Sequence, residues 1–275
     1  MPELPEVETT RRGIAPAVEG QTLRAMTVRN AALRWPVPDD LPALLQGASI
    51  DAVRRRAKYL LLDCSRSGQP LGSMLVHLGM SGQLRVVEPD APLRKHDHVD
   101  WELADGRVLR LHDPRRFGSV LWQPLGDTHP LLASLGPEPL SPEFTATYLY
   151  QRSRGRKGPV KPFIMDQAIV VGVGNIYATE ALFAAGIHPR RPAGRVSLKR
   201  YTALVDAIRA VLAESIQRGG TTLRDYVDPQ GSPGWFRLQL AAYEQADKPC
   251  QRCSTPIRRE VLGQRASYFC PSCQR

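Results

Sequence analysis

Short apolar, β-branched segments alternate with turn-forming residues through the first 125 residues of the chain. Seven of these segments predict β-strands: residues 22–29, 49–54, 59–63, 73–78, 83–87, 98–103 and 108–111. Turn formers such as Asp105-Gly106 separate several of them. Many short strands joined by turns are typical of an all-β sandwich or barrel, so we predict this architecture for the first half of the chain.

Helical periodicity lies on both sides of the strand-rich region. Before it, Val7, Ile14 and Val18 fall near one face of a predicted helix over residues 6–17. After it, three prolines in residues 135–142 predict a domain hinge. Apolar residues then recur at helical spacing over 144–151, 177–185 and 198–218. A cysteine module follows from about Tyr243, and we predict three domains: residues 1–135, 136–240 and 241–275.

Charge is divided unevenly along the chain, whose formal net charge is +10. Residues 1–140 hold seventeen basic and seventeen acidic side chains, so residues 141–275 carry the whole excess. A basic half beside a neutral half indicates an anionic partner, most often nucleic acid, although a charge that serves only solubility is the alternative. Apolar residues make up 42% of the chain, which excludes disorder as its main description.

The sequence shows no membrane-spanning or secretory signal, which indicates a location inside the cell. No stretch reaches the roughly 18 apolar residues that a membrane span needs. The N-terminus is acidic where a secretory signal would be basic, and the cysteines do not form a secreted disulfide framework. We therefore expect a protein of the cytosol or nucleoid.

Four of the five cysteines form two CxxC pairs near the C-terminus, Cys250/Cys253 and Cys270/Cys273. Two such pairs supply four thiolates for a tetrahedral Zn²⁺ ion. A four-thiolate site has no open position for water, so the zinc is predicted to fold the module rather than to catalyse a reaction. The remaining Cys64 lies in an apolar segment and is predicted to be a small buried side chain.

The segment Val-Gly-Val-Gly-Asn, residues 171–175, opens a predicted helix. It departs from the dinucleotide-binding fingerprint, because Tyr177 occupies the third glycine position and no βαβ unit precedes it. Two glycines before a helix N-terminus still suit a phosphate, whose oxygens can accept from backbone N–H groups. Asn175 is then either a helix cap or a donor to a phosphate oxygen.

Two basic clusters carry candidate chemistry. Lys58 precedes an apolar strand, where a lysine can have a lowered pKa and transfer protons, although a surface charge is the alternative. Arg115 and Phe117 lie in a predicted turn, and Met80 lies in another turn flanked by glycine. Exposed Met and Phe side chains beside arginine suit a wedge that unstacks bases, whereas burial in the core is the alternative.

The first residues are also unusual. Proline at position 2 is small enough for Met1 to be removed, which would leave a secondary amine at Pro2. An α-amine titrates at a pKa of about 7.7–8.0, so part of it is unprotonated at neutral pH. Such an amine can attack a sugar aldehyde carbon and form a Schiff base, with the adjacent Glu3 as acid or base.

Together these motifs resemble the formamidopyrimidine-DNA glycosylase family, bacterial repair enzymes for oxidised purines. The resemblance rests on Pro-Glu-Leu-Pro-Glu-Val-Glu, Arg-Arg-Ala-Lys-Tyr-Leu, His-Leu-Gly-Met-Ser-Gly, Lys-His-Asp-His-Val-Asp, Asp-Pro-Arg-Arg-Phe-Gly, Val-Gly-Val-Gly-Asn-Ile-Tyr and the four-cysteine tail. It implies a multidomain α and β fold: an N-terminal β-sandwich flanked by helices, a C-terminal helix–two-turn–helix domain and a four-cysteine zinc finger.

The resemblance also implies an activity, namely a bifunctional DNA glycosylase/AP lyase of base excision repair. Its partner would be double-stranded DNA with oxidised purines or abasic sites, and the chain would be a monomer with one structural zinc and no redox cofactor. Pro2 would be the nucleophile, Glu3 the acid, Lys58 the group for β-elimination and Arg265 the group for δ-elimination.

The implied DNA contacts are spread along the chain. Those to phosphate would come from Lys58, His96, Arg115, Lys157, Asn175 and Arg265. Met80, Arg115 and Phe117 would fill the gap left by an extruded nucleotide, and residues 219–234 would cover its base.

Two alternatives remain open at this point. One is a glycosylase for oxidised pyrimidines that resembles endonuclease VIII, with which it would share the Pro-Glu start, the lysine and the finger. The combination of Met80, Arg115 and Phe117 favours the purine enzyme. The other alternative is a zinc-finger DNA-binding protein without catalysis, which would have no need of a free Pro2 amine.

Overall fold

A computed structural model describes residues 2–219 and 240–275. These residues fall into two compact units, residues 2–133 in the first and residues 134–218 with 240–275 in the second. The chain passes from one to the other beside the proline-rich segment, while the three domain bounds given above remain a prediction. No helix in the described part of the chain is long and apolar enough to cross a membrane.

The first unit consists of two four-stranded antiparallel sheets and three helices. The helices are α1 Leu4–Val18, α2 Leu41–Leu45 and α3 Pro130–Ala133. The strands are β1 Leu23–Val28, β2 Ser49–Arg56, β3 Tyr59–Arg66, β4 Gln69–His77, β5 Gln83–Val87, β6 Asp97–Leu103, β7 Val108–His112 and β8 Ser119–Pro124. One sheet has the order β1-β6-β7-β5 and the other the order β2-β3-β4-β8.

All seven predicted strands are present, and the sandwich rather than the barrel is confirmed. The prediction missed β8, which lies directly after the basic turn, and it started α1 two residues too late. Side chains two apart on β3, such as Leu60 and Leu62, enter the same buried cluster as Trp101 from the other sheet. Cys64 belongs to that cluster, as predicted, and burial raises the pKa of its thiol to about 12.

The second unit is helical and ends in a β-hairpin. Its helices are α4 Ala146–Ser153, α5 Val160–Met165, α6 Asn175–Ala184 and α7 Leu198–Gln217, with a short 3₁₀ turn at Ala193–Arg195. The hairpin strands are β9 Arg258–Leu262 and β10 Arg265–Phe269. Side-chain oxygens of Thr145 and Ser197 cap α4 and α7.

The three predicted helices of the second half correspond to α4, α6 and α7, whereas α5 was missed. It has only six residues and contains Pro162, so it shows too little periodicity to be recognised. The long α7 buries Tyr201, Leu204 and Ile208, which follow the predicted apolar spacing. These helices form the layer on which the cysteine module packs.

Candidate active site and zinc centre

The N-terminal residues are held by the start of α1. Glu3 is the N-cap of this helix: its side chain accepts from the backbone N–H of Glu6. In return the Glu6 Oε2 accepts from the Glu3 N–H at 2.8 Å, which completes a capping box. Pro2 is buried, and Glu3 is only 2% exposed. The cap therefore fixes the position of both residues.

The register of the second sheet brings three loops to one end. Tyr59 is paired with His77, and His77 is paired with Ser119. The β2–β3 turn, the loop after β4 and the loop before β8 therefore emerge side by side. These loops contain Lys58, Met80, and the pair Arg115 and Phe117. Helix α1 begins at the same end, because it runs against β2 with Glu8 on Arg55 and Glu19 on Val53.

Lys58 lies in the tight β2–β3 turn. The turn has two residues, and the first, Ala57, has a φ of +54°, a value that favours glycine. Lys58 itself is only 9% exposed. The alternative of an ordinary surface charge is therefore wrong for Lys58, and its ammonium group is held close to the sheet end.

His77 beside Lys58 was not found by the sequence analysis. Its ring packs on that of Tyr59 at 4.8 Å between centroids, and its Nδ1 accepts from the Gly79 N–H at 3.0 Å. Burial, with Lys58 and Arg34 nearby, lowers the pKa of His77 to about 4. His77 is therefore neutral at physiological pH, and its position in a Gly-flanked motif was the only signal in the sequence.

Asp113 joins the loops at this end, and it too was missed. Its Oδ1 accepts from the Ser81 hydroxyl and its Oδ2 from the Gly118 N–H, both at 2.8 Å. Its backbone N–H donates to the His96 carbonyl at 2.9 Å. The loops on either side approach so closely that a Cβ at Gly79 would lie 2.3 Å from the backbone of Phe117. The fully buried Asp113 thus links the loop after β4 through its carboxylate and His96 through its backbone N–H.

The segment that carries His96 is fixed by a buried ionic network. Asp97 accepts from the Arg94 N–H and contacts His112, each at 2.8 Å. Asp100 is bound by the Arg110 guanidinium through two hydrogen bonds of 2.9 Å. Hydrogen bonds and charge from Arg110 hold the pKa of Asp100 below its usual value despite the burial that opposes this. His96 itself is half-buried, with ring contacts to His98 and His112.

The candidate wedge residues are accessible to different degrees. Phe117 is 43% exposed, and the Arg115 guanidinium lies over its ring at 4.9 Å. Arg115 is exposed and Met80 is half-buried. Burial in the core, the alternative for Phe117, is therefore wrong. The two side chains on the loop before β8 form a projecting aromatic–cation pair.

The four cysteines of the second unit converge as predicted. Their sulfur atoms all lie within 4.8 Å of one another, and the Cys253 and Cys273 Sγ atoms are 3.4 Å apart. Zinc–thiolate bonds of about 2.3 Å in a tetrahedron place sulfurs at about this spacing. Backbone N–H groups of Arg252 and Cys273 donate to the Cys250 and Cys270 sulfurs, as in knuckles that hold a metal. The residues fit one structural Zn²⁺ ion.

The zinc finger is docked along α6 rather than attached by a linker alone. Glu180, buried on α6, accepts from the backbone N–H groups of Ala241, Ala242 and Tyr243 at 2.7–2.9 Å. Arg252 lies over the Phe183 ring at 4.6 Å and donates to the Phe183 carbonyl at 3.0 Å. Arg252 thus binds the C-terminal end of a helix, where a cation is favoured.

The three candidate phosphate ligands of the second unit lie in different settings. Asn175 is the first residue of α6, whose N-cap is Gly174, so the capping role for Asn175 is wrong. Its Nδ2 donates to the Ala266 carbonyl at 3.1 Å, next to the exposed Arg265 at the start of β10. Lys157 is exposed in the loop between α4 and α5. Of the predicted base-covering segment, 219–234, all but Gly219 lies outside the described residues.

Comparison with known protein families matches nearly the whole chain. Residues 1–120 match the formamidopyrimidine-DNA glycosylase N-terminal domain, and residues 135–227 match the H2TH domain of the same family. Residues 247–275 match the zinc finger found in FPG and IleRS. These are the N-terminal domain of the family, its helix–two-turn–helix domain and a zinc finger, in the order that the sequence motifs predict.

Relatives and solved structures agree with these matches. Formamidopyrimidine-DNA glycosylases of Stenotrophomonas maltophilia (strain R551-3) and Syntrophotalea carbinolica are 57% and 59% identical, with all of both chains covered. The MutM (Fpg) structure from Thermus thermophilus is 40% identical with a TM-score of 0.87, covering 99% of this chain and 98% of that one. A Lactococcus lactis Fpg complex with DNA containing an abasic site has a TM-score of 0.90 at 31% identity over 100% of both chains. The chain belongs to the formamidopyrimidine-DNA glycosylase family.

Proposed function

We propose that this protein is a bifunctional DNA glycosylase/AP lyase that excises oxidised purines, 8-oxoguanine and formamidopyrimidines, in base excision repair. It acts on double-stranded DNA as a monomer, and we place it in the bacterial cytosol or nucleoid. Similar proteins bound to DNA with an abasic site or with Fapy-dG support the substrate class. Zinc supplies no chemistry to the reaction, because a four-thiolate ion has no open position and serves to fold the finger.

The observation that carries this proposal is the placement of Pro2 and Glu3. Pro2 is buried directly before the capped start of α1, at the sheet end where Lys58, Met80, Arg115 and Phe117 also emerge. A protein that only binds DNA has no need of a free Pro2 amine held in place. A secondary amine held in place can form a covalent bond with C1′ of a nucleotide.

Two eliminations follow from this amine. In a chain that begins at Pro2, the nitrogen lone pair attacks C1′ and the C1′–base bond breaks, while Glu3 protonates the departing base. The amine then loses its own proton, which Glu3 passes to O4′ as the C1′–O4′ bond breaks, and a positively charged imine remains at C1′. The resulting imine acidifies the C2′ proton; its removal, served by Lys58, expels the 3′ phosphate. Loss of the C4′ proton then expels the 5′ phosphate, and Arg265 serves this step. The electron pair of each broken C–O bond leaves with the phosphate.

C1′ is hidden inside a duplex, so the nucleotide must be extruded before the amine can reach it. Unstacking costs a few kcal/mol. Wedge side chains at Met80, Arg115 and Phe117 offset this cost by filling the vacated space. Phosphate contacts from Lys58, His96, Arg115, Lys157, Asn175 and Arg265 hold the bent duplex. Of these residues, Lys58 is held by the β2–β3 turn and His96 by the Asp97 network. Little conformational freedom is therefore lost at these two positions on binding.

Borohydride trapping tests the proposal. The protein is incubated with an 8-oxoguanine:C duplex and reduced, and the adduct is mapped by mass spectrometry. We expect a covalent adduct on the Pro2 nitrogen, and none in a variant with residues added before Pro2 that still binds the duplex. Protein shown to start at Pro2 that gives no adduct would overturn the proposal in favour of a zinc-finger DNA-binding protein.

Two further experiments distinguish base excision from strand cleavage and identify the lesion class. Glu3→Gln is expected to lose base excision yet still cut a ready-made abasic site, because that substrate has no base to expel. Equal loss of both activities would contradict the role given to Glu3. Preferential excision of thymine glycol over 8-oxoguanine by the parent protein would favour the endonuclease VIII-like alternative.

A further inference from the structure

Lys161 is a buried lysine that none of the roles above uses. It lies on α5, is 1% exposed, and donates through Nζ to the Ala266 carbonyl at 3.0 Å and to the Ser267 hydroxyl at 2.8 Å. Both acceptors belong to β10 of the finger. Burying the polar end of a lysine is costly unless hydrogen bonds compensate, and two are present here. The buried Lys161 Nζ therefore holds two positions of β10, Ala266 and Ser267, in place.

Two further contacts converge on the same hairpin. Asn175, at the start of α6, donates to the same Ala266 carbonyl at 3.1 Å. Pro162, next to Lys161, lies under the hairpin turn, because a Cβ built on Gly263 would meet its side chain at 3.5 Å. The Ala266 carbonyl therefore receives donors from two helices, and the turn rests on one of them.

The hairpin transmits this anchoring to Arg265. Gly263 and Gln264 form a two-residue turn in which both φ values are positive, +54° and +63°, as in a type I′ turn. Leu262 is paired with Arg265 across it. Arg265 is thus the first residue after a two-residue turn and the last before the anchored Ala266. Its backbone is fixed on both sides while its side chain remains exposed.

We propose that Lys161 is a positioning residue for Arg265. Through Ala266 and Ser267 it sets where the Arg265 guanidinium meets the sugar-phosphate during the second elimination. The inference rests on the proposed function, which gives Arg265 its part in that step. Lys161 itself touches no reacting atom.

The test measures the two eliminations separately on a duplex with a ready-made abasic site. Single-turnover cleavage resolves the β-product, with an unsaturated aldehyde end, from the δ-product, with a phosphate end. Lys161→Met is expected to lower the ratio of δ- to β-product by about 10- to 100-fold, since a shift of about 1 Å can cost up to about 100-fold. Borohydride trapping on Pro2 should stay at the parent level. The matched control is Lys199→Met, an exposed lysine on α7.

A double-mutant comparison distinguishes positioning from general damage. Arg265→Ala should lower the same ratio, and Lys161→Met with Arg265→Ala should be no worse than Arg265→Ala alone. Full additivity, or a parent-like ratio in zinc-loaded Lys161→Met, would overturn the inference. If Lys161→Met loses its zinc, the milder Ser267→Ala takes its place in the same cycle. A parent protein that neither traps nor cuts refutes the proposed function instead.

Discussion

The N-terminal sandwich and the zinc finger are stabilised in different ways. In the sandwich, side chains from two sheets and α1 form one large apolar cluster around Trp101. In the described part of the chain, the buried cluster at the finger comprises Phe183 of α6 with Ala242, Cys250, Ile257 and Cys270, and two of these are metal ligands. Polar contacts of Glu180, Arg252 and Lys161 add to this small cluster.

This difference follows from size. A segment of about 30 residues cannot bury enough apolar surface to fold alone, so a metal and a prepared docking surface replace the missing core. The sandwich has enough apolar surface and uses its buried charges to fix loops instead. The residues proposed for imine formation therefore stand on an apolar scaffold, and the one proposed for the last step stands on a metal-dependent one.

Loss of a zinc ligand should give the largest contrast between the two regions. Zinc binding in finger peptides is worth about 10–16 kcal/mol of apparent folding free energy. Cys250→Ser is therefore expected to release the zinc, unfold the finger and abolish DNA binding, while the sandwich stays folded. Zinc content by atomic absorption, DNA affinity and near-UV circular dichroism measure the three outcomes.

Cys64→Ser is the matched control, because Cys64 is buried in the sandwich and is no ligand. It should keep its zinc and lose only about 1 kcal/mol of stability. Unchanged DNA affinity in zinc-free Cys250→Ser would refute the dependence of the finger on its metal.

The docking of the finger can be weakened without removing the metal. In Glu180→Gln the new NH₂ group would face backbone N–H donors, leaving some of them without an acceptor. At about 1–3 kcal/mol for each unsatisfied group, we expect a loss of about 2–4 kcal/mol. Urea unfolding, monitored through the release of zinc, measures this loss of stability.

Glu244→Gln, on an exposed residue of the same segment, is the control and should leave the transition unchanged. If Glu180→Gln and Glu244→Gln release zinc at the same urea concentration, the carboxylate does not dock the finger.

Acid should affect the sandwich through His77, with a smaller effect. The pKa of His77 is about 4 in the folded protein against about 6.5 unfolded, owing to burial and then to Lys58 and Arg34. The unfolded chain binds the extra proton, so stability from neutral His77 is present above about pH 6.5 and is lost as the pH falls towards 4. We expect the free energy of unfolding to fall by about 1–3 kcal/mol over this range, as measured by urea unfolding with tryptophan fluorescence as the readout.

His77→Gln should flatten the pH dependence between about 4 and 6.5, because it removes the titrating ring. The comparison is made on the difference between the two proteins, which cancels carboxylates that titrate in both. Parallel curves for the two proteins would show that His77 does not contribute to the acid sensitivity.

Local spacing predicted much of this molecule. Alternating apolar residues identified seven strands, helical periodicity identified α1, α4, α6 and α7, and two CxxC pairs identified the zinc ligands. The misses have physical reasons. Helix α5 is too short to show a period, and nothing in the sequence around Asp113 reveals that its carboxylate accepts from Ser81, 32 residues away.

The sequence by itself determined the strands, most helices, the metal ligands and the motifs of a glycosylase family, because each depends on residues close together in the chain. Only the tertiary structure decided which loops meet at one sheet end and how the finger is held. Lys161 and its acceptor Ser267 are 106 residues apart, and Glu180 is 61–63 residues from the N–H groups that it binds. Such pairs leave no local pattern, since folding alone brings the partners within hydrogen-bond distance.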